Sequence, residues 1–176
     1  MEPYEISPLR VEDAPALAAA YQRNRGHLRL WEPVRPPGFF SIEGQQARVS
    51  AELEAVARGQ LAVWLIRSGD LVTGRVALNN IVMAAFRSAA VGYWVDGQHT
   101  RRGLATRAVE HACAEAIQLG LHRVEAGTVV HNVASQAVLR RCGFVPFGTA
   151  PSYLWIAGAW QDHHLFQRIL HDEAPE

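Results

Sequence analysis

The pattern of apolar and polar positions changes period several times along this chain, and each change marks an element. Residues 4–10 read as a first strand. Glu12 to Gln22 is alanine-rich and helical, with Pro15 in the first turn, where a missing N–H does no harm. Asn24 to Pro37 is irregular and carries Trp31, Pro33, Pro36 and Pro37, a composition that suits a wall or lid better than a linker. Ser41 to Arg58 is amphipathic and helical and ends at Gly59. Leu61 to Ile66, the turn Ser68-Gly69-Asp70 and Leu71 to Met83 form a predicted hairpin, and Arg87 to Val95 a third antiparallel strand. Leu104 to Leu119 sets Ala105, Ala108, Val109, Ala112, Cys113, Ala116 and Ile117 on one stripe, the mark of a helix with one buried face, and Gly120 stops it. Arg123 to Val130 then reads as a strand, Asn132 to Arg141 as a helix and Phe144 to Thr149 as a strand. Leu154 to Ile156 and His163 to Ile169 flank Ala157-Gly158-Ala159 as a last hairpin. The strand–helix–strand unit at 91–130 needs a crossover, so its two strands should lie parallel. The fold class expected is mixed α/β, a mostly antiparallel twisted sheet with helices on both faces, in one domain spanning 1–176.

Composition narrows the function classes. The length of 176 residues suits one core, and 49% hydrophobic with 19% charged residues is an ordinary globular balance. Seventeen basic and seventeen acidic residues cancel, so no field of one sign draws the whole protein onto nucleic acid or an anionic membrane; neither is expected as a direct partner. Every basic residue is arginine and none is lysine, which removes any side-chain amine nucleophile or Schiff base. Cys113 and Cys142 fit neither a disulfide framework nor a C-x-x-C metal site, and free cysteine suits a reducing cytoplasm. Met1-Glu2-Pro3-Tyr4 has no basic region followed by an apolar run, and no apolar run approaches the roughly 18 residues that span a bilayer. A cytoplasmic location is the expectation. His163 and His164 are neighbours on a strand and point to opposite faces, and no H-E-x-x-H pattern occurs, so no metal is expected.

The most informative stretch is Val91 to Thr106. A strand ends, a short polar loop follows, and a helix opens at Gly103. The first N–H groups of a helix lack internal partners and sit at the positive end of its dipole, a ready site for a pyrophosphate. Gly103 lets an anion approach the backbone, Ala105 obstructs it only with a methyl group, and Arg101 and Arg102 add positive charge. An ordinary strand-to-helix connection with two solvated arginines would read the same way. The P-loop pattern is impossible without lysine, and G-x-G-x-x-G does not occur.

These residues resemble the GNAT N-acetyltransferase superfamily, whose phosphate motif [QR]-x-x-G-x-[GA] reads here Thr100-Arg101-Arg102-Gly103-Leu104-Ala105, with Thr100 departing from the expected Gln or Arg. His131-Asn132-Val133-Ala134-Ser135 followed by Arg140-Arg141-Cys142-Gly143-Phe144 is similar to the N-x-x-S…GF helix of the ribosomal-protein N-acetyltransferase branch, the RimJ/RimL type. Asn24-Arg25 through Leu28, Trp31 to Pro36, and Tyr153 to His163 resemble that branch's substrate-side and C-terminal segments.

The resemblance implies acetyl-CoA as cofactor, with coenzyme A as product, held by the amides of Arg101, Arg102, Gly103, Leu104, Ala105 and Thr106. It implies that pantetheine lies along the backbone of Tyr93 and Val95, and that Asn132, also a plain helix N-cap, bonds the same arm. Leu139 stands where many relatives carry a tyrosine that protonates the thiolate, and the branch assigns that contact to Ser135 as the catalytic residue. Trp31, Glu32 and Tyr153 fall in acceptor-side segments, and Trp155 and Trp160 join them as pocket-wall candidates. Three-and-four spacing puts Asn132, Ser135, Gln136 and Leu139 on one face, toward the cofactor, and Ala134, Ala137, Val138 and Cys142 on a core face. Glu32, His27 and Asp162 are candidate bases, Asp162 reading better as a turn hydrogen bond next to Gly158. An α-amine has a pKa near 8 and needs little help from a base, whereas a lysine near 10.4 needs much more. The implied acceptor is therefore the α-amine of a protein or peptide N-terminus, such as a ribosomal protein. A small-molecule amine and a catalytically silent acetyl-CoA-binding module are the alternatives, and a homodimer is left open.

Overall fold

The computed structural model of the chain describes residues 4–174, so the reading of Met1 to Pro3 lies outside the described residues. The elements are β1 (Tyr4–Pro8), α1 (Ala14–Leu28), α2 (Ile42–Ala57), β2 (Ala62–Ser68), β3 (Leu71–Val82), β4 (Ser88–Val95), α3 (Leu104–Gln118), β5 (Arg123–Val129), α4 (Val133–Arg141), β6 (Val145–Ile156) and β7 (Ala159–Ile169). Short 3-10 turns occupy Val11–Asp13, Pro37–Phe40 and Gly97–His99. The strands form one seven-stranded sheet in the order β1-β2-β3-β4-β5-β7-β6. All neighbours are antiparallel except β4 and β5, which α3 connects and which run parallel, as a crossover requires.

Helices cover both faces, and the strand period decides which residues meet them. Along β2, Trp64 and Ile66 join a core with Leu104, Ala108, Val109 and Ala112 of α3. Val63 and Leu65, one residue out of phase, join a second core with Leu17, Ala20 and Tyr21 of α1 and Val49 of α2. The helix boundaries are written in local chemistry. Ser41 Oγ accepts the Gly44 amide 3.0 Å away and starts α2. Gly120, at φ 75°, ends α3 with the paired bonds of a Schellman cap, its own N–H on the Ile117 carbonyl and the Leu121 N–H on that of Ala116, both at 2.9 Å.

Three expectations need correction. Helix α1 runs to Leu28 rather than Gln22, because Asn24 is no breaker here: its side chain donates to the Ala20 carbonyl at 3.0 Å and is buried among long-range partners. β6 is one strand from Val145 to Ile156, absorbing Pro146 and Pro151 through register shifts at Pro146/Gly148 and Ala150/Leu154. Ile117 lies off the buried stripe of α3 and is 44% exposed. His111, on the same helix, is half-buried with its ring edge-on to Trp64 at 5.2 Å. No helix of the described residues is long and apolar enough to cross a membrane.

Candidate active site

The site begins where the sheet stops being a sheet. β4 and β5 pair only from Ser88–Arg123 to Ala90–Glu125. Beyond that point β4 stays bonded to β3 as far as Val95, and β5 to β7 as far as Val129, so each is anchored on its outer side while the inner edges part. The edges of Val91–Val95 and Ala126–Val129 line a cleft of about 800 Å³. The start of α3, α4 and the segment after α1 add to its lining, with Arg75 and Asn79 of β3, Leu154 of β6 and His163 of β7.

At the α3 end the backbone is shaped to receive an anion. Arg101 and Gly103 both sit in the left-handed region, at φ 60° and 74°, the kind of backbone found in anion-binding turns. Gly103 is the helix N-cap and supplies no side-chain acceptor. Arg107 donates to the Gly103 carbonyl at 3.0 Å. The amides of Leu104, Ala105 and Thr106, one turn earlier, have no backbone partner among the described residues. No atom lies within 4 Å of the place a Cβ on Gly103 would take. Thr100, the departure from the family motif, donates its hydroxyl to the Gly97 carbonyl at 3.2 Å and steadies the preceding turn. Arg101 lines the cleft. The Arg102 side chain does not: it turns back to donate to Tyr4 Oη at 3.1 Å, leaving only its main chain at the turn.

Residues that sequence reasoning missed hold this turn in place. Asp96, 1% exposed, accepts from Arg23 Nε at 2.7 Å, Asn24 Nδ2 at 2.9 Å and the Gln98 amide at 2.9 Å. Asn24 Oδ1 in turn accepts the Gly97 N–H at 2.9 Å. Burial pushes the Asp96 carboxyl up, but these bonds and the Arg23 charge outweigh it and hold the carboxyl below its ordinary value. α1 and the turn that precedes α3 are thereby locked together. The only local signal was a lone asparagine and an Asp-Gly turn, with Asn24 and Asp96 72 positions apart.

Across the cleft, Asn132 Oδ1 caps α4 by accepting the Ser135 amide at 3.1 Å. Ser135 Oγ lies 2.8 Å from Tyr93 Oη, and the Tyr93 hydroxyl also reaches the Ser135 carbonyl at 3.2 Å. Burial pushes the Tyr93 phenol up to about 12, despite the Ser135 bond, so it stays a protonated donor. The Tyr93 side chain, as distinct from its backbone, was absent from the sequence reading. The face assignment of α4 is corrected in part: Cys142 is buried as expected and Leu139 lines the cleft, but Gln136 and Leu139 are buried as well, while Ala134 and Ala137 are exposed. Burying Leu139 removes more apolar surface from water than either alanine could, and Gln136 follows because its amide donates to the Val130 carbonyl at 2.8 Å.

On the acceptor side, His27, Trp31 and Glu32 line the cleft. Burial pushes the Glu32 carboxyl up, against the lowering effect of Arg35, Arg48 and Arg75. A second cavity of about 460 Å³ adjoins the first and shares Leu28, Glu32, Pro33 and Arg35 with it. Tyr153 is 48% exposed and does not itself line the cleft; it adjoins two residues that do, His163, whose ring centroid is 5.3 Å from its own, and Gly127. Trp155 and Trp160 are not pocket walls: they pack edge to face at 5.7 Å and stay about half exposed, while Leu154, Ala157 and Gly158 of the same hairpin line the cavities. Asp162 accepts the Ser152 amide at 2.8 Å across the hairpin, which pins the irregular stretch of β6; its hydrogen bond is structural, though not at the Gly158 turn. Cys113 and Cys142 are buried free thiols pushed up to about 11 and about 12, mainly by desolvation, and are neutral packing groups.

This geometry can be set beside known proteins. Over 171 residues the chain is 30% identical to the probable N-acetyltransferase YjcK of Bacillus subtilis, covering 96% of this chain and 94% of that one. Its fold superposes on the ribosomal-protein-S5-alanine acetyltransferase of Vibrio fischeri with a TM-score of 0.94 at 32% identity, covering 99% and 97% of the two chains. It superposes on Mycobacterium smegmatis RimJ in complex with CoA-disulfide with a TM-score of 0.90 at 29% identity, covering 94% and 81%. The family model described as the acetyltransferase (GNAT) domain matches residues 5–145, a stretch that holds the parted strands, the uncapped helix start and Ser135 together. The chain accordingly belongs to the GNAT family and is an N-acetyltransferase, an acyltransferase acting on amines.

Proposed function

We propose that this enzyme acetylates the α-amine of a protein N-terminus, a ribosomal protein by the analogy of its S5-alanine relative, using acetyl-CoA held in the cleft between β4 and β5. The observation that carries the reading is the parted pair of strands running up to a helix start whose amides have no other partner. The bound cofactor would supply the acetyl group as a thioester. The amides from Arg101 to Thr106, with the Arg101 guanidinium, suit a diphosphate. The free main-chain edge of Tyr93 and Val95 suits an amide-bearing arm, and an N–H there suits a polarised carbonyl oxygen. Asn132 stands at the α4 end of the same cleft. Ser135 Oγ–H would donate a hydrogen bond to the departing thiolate sulfur, and the Tyr93 hydroxyl would aim it by donating into Ser135 Oγ; the proton that finally neutralises the thiolate would come from solvent, leaving Ser135 and Tyr93 unchanged. Ionised Glu32 would take the proton of an incoming ammonium, its desolvation making it a stronger base than a solvated carboxylate. An α-amine asks little of that base, since about a tenth of it is already neutral near pH 7.

Thermal unfolding with acetyl-CoA at about 100 times its Kd should gain about 2.7 kcal/mol, and thiol release should appear only when an amine is supplied. Profiling N-terminal peptides against lysine side chains and small amines then settles the acceptor. The reading fails if acetyl-CoA leaves the melting temperature unchanged, or if lysine side chains are the better acceptors. Thiol release that survives Ser135→Ala undiminished would remove Ser135 from the mechanism.

A further inference from the structure

We propose that the smaller cavity beside the cleft receives the acceptor residues that follow the modified amine, and that it selects a carboxylate there, so that the preferred acceptor is an N-terminus followed closely by Asp or Glu. The inference rests on the peptide-acceptor reading above and names the class of peptide.

Charge complementarity is the first support. The cavity is lined by Arg25, Arg29 and Arg35 against a single acid, Glu32. Neither Arg25 nor Arg29 forms an ion pair among the described residues. The second support is how two of these arginines are held. The Arg25 guanidinium lies over the Phe40 ring at 4.5 Å and that of Arg35 over Phe39 at 4.8 Å. A guanidinium held over a ring face is restrained by it yet keeps N–H groups for a ligand, and those groups can meet a carboxylate in two parallel bonds. Arg35 Nε is buried and has no hydrogen-bond partner; the Glu32 carboxylate, at 3.8 Å, is too far to supply one. A buried donor left unpaired is costly, and an acidic side chain that displaced the contacts around it would recover part of that cost.

Connectivity is the third support. The two cavities share Glu32, so a peptide whose amine meets that carboxylate in the cleft continues into the arginine-lined space. Ala157 and Gly158 line it without bulky side chains, leaving room for a main chain to pass. The same charges oppose a polycation, which sets polyamines and lysine-rich tails against this site.

The test uses three peptides with one N-terminal residue, followed by Asp-Asp, Ser-Ser or Arg-Arg. The acidic peptide should exceed the basic one in kcat/KM by about tenfold or more, roughly 1.4 kcal/mol. The gap should narrow as added salt shortens the Debye length from about 10 Å toward about 3 Å. Arg25→Glu with Arg29→Glu should reverse the order, a gain on the basic peptide that misfolding cannot produce, while acetyl-CoA affinity by calorimetry stays that of the unmodified enzyme. Equal values for all three peptides, or an order unchanged in the double variant, would overturn the subsite. If small amines release thiol and none of the peptides does, the peptide-acceptor reading falls and takes this proposal with it.

Discussion

Tyr93 and Ser135 share two hydroxyl hydrogens between them, and the way they are shared decides whether Ser135 has one to give. If Ser135 donates to Tyr93, its proton points away from any sulfur; if Tyr93 donates to Ser135 Oγ, the serine hydrogen is free. Tyr93→Phe should therefore lower kcat by about tenfold, a loss of roughly 1.4 kcal/mol in transition-state stabilisation, with the KM for acetyl-CoA nearly unchanged. Steady-state kinetics beside a melting curve check this, and an equal loss in both parameters would mark Tyr93 as merely structural. At this scale the sequence was a partial guide. Ser135, Asn132 and Gly103 stood out because a motif carries them at fixed spacing. The Tyr93 hydroxyl did not, because its partner is 42 positions away and tyrosine beside tryptophan on a strand reads equally well as core. The acceptor-side tryptophans misled for the same reason: a large ring in the right segment says nothing about which way it packs, and Trp155 found Trp160 instead.

Elements were legible wherever one local rule governed them. The stripe of α3, the Ser41 cap of α2 and the Gly120 stop each depend on residues within a few positions. The misreadings have one cause, which is tertiary satisfaction of a group that looks disruptive in isolation. Asn24 continues α1 because Asp96 and Gly97 hold it, and Gln136 turns inward because the Val130 carbonyl meets it. The most consequential element boundary is the start of α3. Gly103→Ala places a methyl group in open space, so the penalty is the left-handed backbone alone, about 1–2 kcal/mol. The variant should melt lower by that amount and bind acetyl-CoA more weakly, because relief of the strain rotates the amides away from a common focus. Calorimetric titration separates the two effects, and unchanged affinity would mean that the amides are not the binding groups.

For the molecule as a whole, the tie between α1 and the β4–α3 connection joins the two helical layers through one buried carboxylate. Asp96 has its pKa lowered on folding, so its contribution to stability is complete above the ordinary value of 3.8 and is lost as pH falls through the lower folded value. Asp96→Asn should lower stability at neutral pH by about 2 kcal/mol, the scale of hydrogen bonds to a charged group. The difference between the two proteins should close in strong acid, where the native side chain is itself protonated. Denaturant melts at neutral and acid pH measure both ends, and a difference that stays constant with pH would show that the charge is irrelevant. The hairpins, the parallel pair and the two-sided helical cover followed from the order of elements, whereas the insertion of β7 between β5 and β6, and how far the parallel pair stays paired, could not be read from any stretch of residues.

That short ladder between β4 and β5 bears on inheritance. A binding surface made of main-chain edges and a helix start is written in atoms that every amino acid carries, so most substitutions leave its alphabet intact. Side chains along those walls are then free to drift with the packing behind them, which fits a superposition at TM-score 0.94 on a protein that shares only 32% of its residues. What drift can rewrite is the other half of the cavity, where side chains alone speak, and there the choice of partner can change between lineages without disturbing the grip on the donor.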